Sequence, residues 1–407
     1  MTPTFAVHAG RIATMDAARE NGGALDDAAL VVENGRIAWI GAASACPAAD
    51  SRIDARGLVV TPGLCDAHTH AAWSGSRHLE YTMKLAGRDY RDIAAAGGGI
   101  ASTHRAIAAI SEDELAHELT ARLARMASLG VTTCEVKSGY GLEPELELKQ
   151  LRAMAAAACN ASLPRIVPTF LALHSLTPAV KAAGSSARAD AVAQQVALVA
   201  LVAREKLATF VDAYIDENAF SCAEARPALE AARDAGLAIR LHVGQFADVG
   251  GAALAAEFGA ASVDHMENVA DAALPLLRDA GTHIGLLPTA SFVLNQAPPP
   301  VAKLRAAGLT LVVASDSNPG TAPSESLPLA MAFAVRTYGL SPDEALLGAT
   351  RYAARSLGAP ESGALVVGAP ADFVVWDLPH EYAILQPWGV SKTRHVFRDG
   401  VEIGAAR

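Results

Sequence analysis

The sequence contains no apolar run approaching the roughly 18 residues a helix needs to cross a bilayer, although 51% of its 407 residues are hydrophobic. Cysteine is sparse: Cys46, Cys65, Cys134, Cys159 and Cys222 are scattered, with no C-x-x-C pair among them. That odd, unclustered set suits reduced core thiols better than a disulfide framework or a zinc knuckle. Basic charge is also short. Against 43 acidic residues stand 33 basic ones, a formal net charge of -10, so no diffuse cationic field exists for nucleic acid or anionic lipid. The opening MTPTFAVHAGRIATMDAARE has neither a basic-then-apolar leader nor a small-residue cleavage pattern. These absences predict a soluble cytoplasmic protein whose partners are small molecules, with a homodimer as the default assembly.

What is present falls into two kinds of segment. Both ends are β-rich. FAVHAGRIATM and AALVVENGRIAWIG alternate apolar and polar residues around Asn34-Gly35, and ADFVVWD with TRHVFRDGVEIG answers them around Asp399-Gly400. Residues 1–63 and 364–407 are therefore expected to form one composite β-sandwich domain. Between them, residues 64–363 alternate eight short β-type runs (GLCDAHTH, VTTCEVKSG, RIVPTFLALH, FVDAYIDE, AIRLHVG, ASVDHM, HIGLLPTAS, LTLVVASDSN) with Ala-rich helical stretches. EDELAHELTARLARMASLG and AEARPALEAARDAG carry apolar residues at three- and four-residue spacing and end at glycine. Eight βα units predict an α/β fold, a closed (β/α)8 TIM barrel; an open doubly wound sheet is the competing arrangement.

A barrel builds its active site at the C-terminal ends of its strands. There the polar residues collect: His68 and His70 on the first run, Lys137 and Tyr140 after the second, His174 on the third, His242 on the fifth, His265 on the sixth, Asp316 and Asn318 on the eighth. His68 and His70 are two apart, so both imidazoles face the same side of an extended strand. Alone, H-x-H is a weak metal signal. With His242 and Asp316 it becomes three imidazoles and a carboxylate, a set that suits one divalent ion, zinc first and manganese or iron as alternatives, with a position left for water.

TPGLCDAHTH is similar to the signature of the metal-dependent amidohydrolase superfamily. Longer stretches, HTHAAWSGSRHLEY, GGGIASTHRA, EVKSGYGLEPELELKQLRAM, PTFLALHS, VDHMENV and SDSNPGT, resemble the imidazolonepropionases, which open a five-membered imidazolone ring in histidine breakdown. The resemblance covers nearly the whole chain. It implies metal ligation by His68, His70, His242 and Asp316, and substrate contacts from Arg77, Tyr140, His174, Asn318, Gly320 and Thr321. It also implies a place for His265 beside the attacking water.

The residue chemistry is compatible with those roles. Arg77 offers a planar two-donor fork for a propionate, or else an ion pair on the barrel rim. Tyr140 lies between glycines, whose flexibility would let it lean over a flat ring, and the turn in SDSNPGT could seat an anion with backbone donors. Single histidines such as His174 and His265 can equally be satisfied core residues. In the expected mechanism, metal-activated water attacks the ring carbon between two nitrogens, Asp316 accepts and returns the proton, and His265 orients the water.

One segment departs from the resemblance. The family segment reads His-Ala-Asp-Glu-Phe, whereas this chain has His242, Val243, Gly244, Gln245 and Phe246. An amide is neither acid nor base and can only donate and accept hydrogen bonds. It suits a ring bearing oxygen or sulfur between its nitrogens, an acceptor that a carboxylate would repel. The favoured expectation is thus a divergent hydrolase of a 2-oxo or 2-thioxo imidazolidinone propionate, releasing sulfide in the latter case, with Asp316, His265 and Gln245 at the chemistry. The alternatives are ordinary imidazolonepropionase activity, 4-imidazolone-5-propionate to N-formimino-glutamate, and a binding protein without catalysis.

Overall fold

A computed structural model describes residues 4–19, 23–88 and 97–405. The outermost residues of the composite domain, 1–3 and 406–407, and residues 20–22 within it lie outside the described residues. Seven strands form one sheet: β1 (Phe5–Ala13), β2 (Ala24–Glu33), β3 (Arg36–Ala42), β4 (Ser51–Pro62), β13 (Phe373–Trp376), β14 (Thr393–Arg398) and β15 (Val401–Ala405). Its order is β15-β14-β13-β4-β1-β2-β3, so the two chain ends meet at the antiparallel β13–β4 pair. Both hairpin turns use two residues at positive φ, Asn34 and Gly35 at 50° and 74°, Asp399 and Gly400 at 50° and 72°. That is the geometry whose twist matches paired strands. The sheet curls until these turns touch: a Cβ on Gly35 would lie 2.7 Å from the Asp399 carbonyl oxygen. The inner face then closes over its own core of Val7, Leu30, Ile37, Phe373 and Phe397, so the two termini build one small domain from a single curled sheet.

The second sheet is all parallel: β5 (Leu64–Asp66), β6 (Val131–Lys137), β7 (Arg165–Leu173), β8 (Phe210–Ile215), β9 (Ala238–Val243), β10 (Ser262–His265), β11 (His283–Leu286) and β12 (Leu311–Val313). These are the eight runs read from the sequence. The ring is completed beyond β5 and β12 by a parallel bridge between Thr69 and Ser317, with Asp316 N donating to His68 O and His70 N to Ser317 O. The closed (β/α)8 arrangement therefore prevails over the open sheet. Two of the longer helices begin where the sequence supplies caps. Ser111 with Glu114 and Ser221 with Glu224 form reciprocal capping boxes for Glu112–Ala127 and Cys222–Asp234.

Strand alternation joins the two units. Successive residues of β4 and β13 face opposite ways, so Val60, Phe373 and Val375 enter the small core while Val59, Val374 and Trp376 enter the barrel's. At the barrel's N-terminal end Arg165 reaches the small domain, bonding Asp372 and Asp399 at 2.9 Å.

Candidate metal centre and substrate cleft

The C-terminal mouth of the barrel opens into a cleft of about 680 Å³. Its floor is made by the strand ends. His68 Nδ1 meets Asp264 Oδ2 at 2.8 Å, and His242 Nδ1 meets Asp212 Oδ1 at 3.1 Å. Each carboxylate fixes the proton on Nδ1 and leaves Nε2 with a free lone pair. Nε2 of His242 lies 3.4 Å from Nε2 of His70, and Asp316 Oδ1 lies 3.5 Å from Nε2 of both His68 and His70. One ligand atom from each of the three histidines falls within 4.8 Å of the others, and His68 Nε2 is buried with no hydrogen-bond partner. With their protons fixed on Nδ1, His68 and His242 aim Nε2 lone pairs at one point beside His70 and Asp316, and a cation there would satisfy them all. The donor set fits a divalent metal.

Electrostatics prepare these ligands. Burial, reinforced by Lys137 and the neighbouring imidazoles, holds His68 well below the ordinary histidine range, and burial with His174 does the same for His70. Both stay neutral, as a metal ligand must. Burial pushes Asp316 up to about 7, against the pull of His265. Below the ligands the barrel interior is charged rather than apolar. Lys137 Nζ donates to Glu135 at 2.7 Å and Asp212 at 2.8 Å, and Arg240 faces Glu135 at 3.1 Å, all with side chains at most 1% exposed. Lys137, read only as a strand-end residue, thus restrains the carboxylate that holds His242.

The wall residues are equally specific. His174 Nδ1 is 2.8 Å from Gly139 O, so it donates there and leaves Nε2 unprotonated; its ring stacks on His70 at 5.2 Å, and burial lowers it to about 3. Tyr140 is buried, and its loop is locked rather than flexible. Glu147 accepts from Gly139 N and Leu142 N, and Gln150 Oε1 from Tyr140 N and Gly141 N. The glycines allow close packing instead: at Gly141 a Cβ would strike Glu147 N at 2.3 Å. Glu147 and Gln150 lie in the same quoted motif, seven and ten residues after Tyr140, and a helix starting at Pro144 carries both back to the loop.

Arg77 lines the cleft with its Nε bonded to Glu80 at 2.9 Å. Gly320 stands behind it, where a Cβ would fall 2.3 Å from an Arg77 amino nitrogen. The backbone donors expected to seat an anion are already used: Gly320 N and Thr321 N both donate to Asn318 Oδ1, whose own amide donates to Asp316 O. Asn318 and Thr321 still border the cleft, but as the turn that presents Asp316, itself at φ 54°.

Gln245 is held from three sides. Tyr214 OH donates to its Oε1 at 2.8 Å, and its carbonyl accepts from Asn268 Nδ2 and Gln296 Nε2. Gly244 before it needs φ 66° and has no room for a Cβ, which would meet Asn268 O at 2.0 Å. Sequence reading missed Asp212, Asp264, Tyr214 and Glu267. The signals available were Asp264 immediately before His265, Glu267 two residues after it, and Asp212 on the strand beside that of His242, but only three-dimensional pairing reveals which imidazole each serves.

A closed barrel with a metal-fitted floor and a terminal β-domain defines a class, and comparison agrees with it. Residues 59–403 match the Amidohydrolase family, and the chain belongs to that family. Among solved structures it resembles a triazine hydrolase from Arthobacter aurescens (TM-score 0.75, 15% identity, covering 99% of this chain and 95% of that one) and a zinc-bound adenosine deaminase from Xanthomonas campestris (TM-score 0.74, 18%, 98% and 93%). At such identities these show the fold. Nearer relatives are imidazolonepropionases: 44% identical over 380 residues in Polaromonas sp. strain JS666, covering 92% of this chain and 88% of that protein, and 44% over 400 residues in Chromobacterium violaceum, covering 96% of each. The chain is an imidazolonepropionase-like, metal-dependent hydrolase.

Proposed function

We propose that the protein is an imidazolonepropionase, converting 4-imidazolone-5-propionate and water to N-formimino-glutamate. The observation that carries this reading is the convergence of His68, His70, His242 and Asp316 at the floor of a cleft that also presents Arg77, in a chain 44% identical to proteins of that name. The expectation that a thioxo ring is the main substrate gives way to this reading, because the relatives support the alternative.

The point of attack changes with it. N-formimino-glutamate keeps the carbon between the two nitrogens as its formimino group. The water oxygen must therefore bond to the ring carbonyl carbon, and the bond from that carbon to the ring nitrogen must break. A divalent ion held by the three histidines and Asp316 supplies the Lewis acidity that makes water nucleophilic near neutral pH. Asp316 and His265 flank that position; one takes the water's proton and the ring nitrogen receives it on leaving. Arg77 receives the propionate, Tyr140 and His174 wall the ring, and the amide hydrogens of Gln245 face its unprotonated nitrogen.

A second reading has one observation in its favour. With Gln245 Oε1 occupied by Tyr214, the end of that side chain left for a ligand is its NH2 group. A 2-oxo or 2-thioxo ring offers a second-row or third-row acceptor there. Turnover of imidazolone, hydantoin and thiohydantoin propionates by metal-loaded enzyme decides between them. The proposal expects kcat/KM for plain imidazolone propionate to lead by at least about tenfold, the scale of one mismatched buried hydrogen bond. Sulfide release from the thioxo ring at a higher kcat/KM overturns it.

A further inference from the structure

His265 ends β10 with φ 82°, and Met266 follows at 67°. Two successive residues in the left-handed region are costly without glycine, and they are held by Met266 N bonding Val243 O and Asn268 N bonding Gly244 O. The turn brings the next side chain, Glu267, back against the His265 ring. His265 Nδ1 and Glu267 Oε2 face each other at 3.7 Å, beyond hydrogen-bond length, both buried and neither with a hydrogen-bond partner, so that each is the nearest group able to satisfy the other. On its far side Glu267 Oε1 accepts from Ser291 Oγ at 3.0 Å, and Ser291 Oγ lies 2.6 Å from Tyr338 OH. Each hydroxyl has one hydrogen. Ser291 spends its own on the carboxylate, so Tyr338 donates to Ser291, and the chain has one direction, from Tyr338 through Ser291 to Glu267.

We propose that Glu267, anchored by Ser291 and Tyr338, is a positioning residue that holds the proton of His265 on Nδ1 and so leaves Nε2 as the proton acceptor turned to the cleft. The inference rests on the reading of His265 as a group beside the attacking water. Carboxylate, serine and tyrosine come from three segments, the turn after β10 and the helices Pro288–Leu294 and Leu327–Tyr338. Such an arrangement does for His265 what Asp264 and Asp212 do for the metal-facing histidines, with the difference that its histidine handles a proton rather than an ion.

The test uses full-length protein carrying 15N-labelled histidine, with His265 assigned by difference from His265→Gln. In metal-free and metal-loaded wild type, His265 is expected as the tautomer protonated on Nδ1. In Glu267→Leu, that signal is expected to shift toward a mixture of tautomers, kcat to fall ~10–100-fold, the usual cost of removing an outer partner of a functional histidine, and KM and bound metal to stay within twofold. Glu267→Asp should restore part of kcat. Should Glu267→Leu fail to fold, Ser291→Ala and Tyr338→Phe are expected to shift the tautomer and lower kcat in the same direction by a smaller factor. An unchanged His265 tautomer in all these variants, or a loss of metal that accounts for the lost activity, overturns the proposal. Because the tautomer is read without substrate, failure of the imidazolone assignment leaves this result distinct.

Discussion

Histidine alone does not make a metal ligand; its protonation state and second nitrogen decide. His68 and His70 are kept neutral by burial, whereas Asp316, pushed up to about 7, carries a proton through much of the mildly acidic range. Metal binding must expel whatever protons the ligands hold. As pH falls from 7 to 5.5, therefore, His68 and His70 release none on binding, while the proton that Asp316 releases grows from a fraction toward one. The sign follows: affinity falls as pH drops, by ~tenfold per unit for one displaced proton. Competition titrations of zinc or manganese should give a slope that approaches one at the acid end of this range, and a slope well above one would show that imidazoles release protons too. H-x-H was visible as a spacing. The carboxylates that fix each tautomer were not, since Asp264 lies 196 residues from His68 and Asp212 lies 30 from His242.

The eight strands were legible by position because each run announces itself locally, but not by their limits: HIGLLPTAS is a strand only over His283–Leu286, and Pro288–Leu294 is a helix. All seven residues of β6 are buried although four are polar or charged, as in a strand covered on both faces, and capping boxes mark where helices such as Glu112–Ala127 and Cys222–Asp234 start. Loops were less legible. KSGYG reads as flexible, yet Glu147 and Gln150 convert it into a fixed shelf for Tyr140. Gln150 Oε1 takes two backbone donors while its Nε2 donates to Ala72 O, tying this loop to the one after His70. Replacing Gln150 by leucine strands those buried groups. Gln150→Leu is expected to lower stability by about 1–3 kcal/mol, measured by urea unfolding, and to raise KM through a displaced Tyr140. Equal midpoints for variant and parent would show that the shelf does not depend on this side chain.

For the whole molecule, the question is how two cores act as one body. β4 and β13 share their faces between them, and Arg165 stitches the barrel's base to Asp372, whose side chain is fully buried, and to Asp399. Asp372 also accepts from Asp399 N, so the arginine stabilises the hairpin turn that meets Gly35. Arg165 is itself partly exposed, which weakens its share through solvent screening. Arg165→Ala is still expected to cost roughly 1–3 kcal/mol, because it leaves a buried carboxylate without its cation. Calorimetry should show the lower midpoint while kcat of folded enzyme is unchanged, the site being at the opposite end of the barrel. The sequence by itself determined the eight βα units, the pairing of β-rich ends, the histidines at strand termini and the departure at Gln245, because periodicity, turn chemistry and residue type are local properties. Only the tertiary structure decided which carboxylate serves which imidazole, that Asn318 consumes the donors of its own turn, and that Tyr214 orients Gln245. Those choices depend on distances between strands, and a closed barrel sets such distances only once every unit is in place.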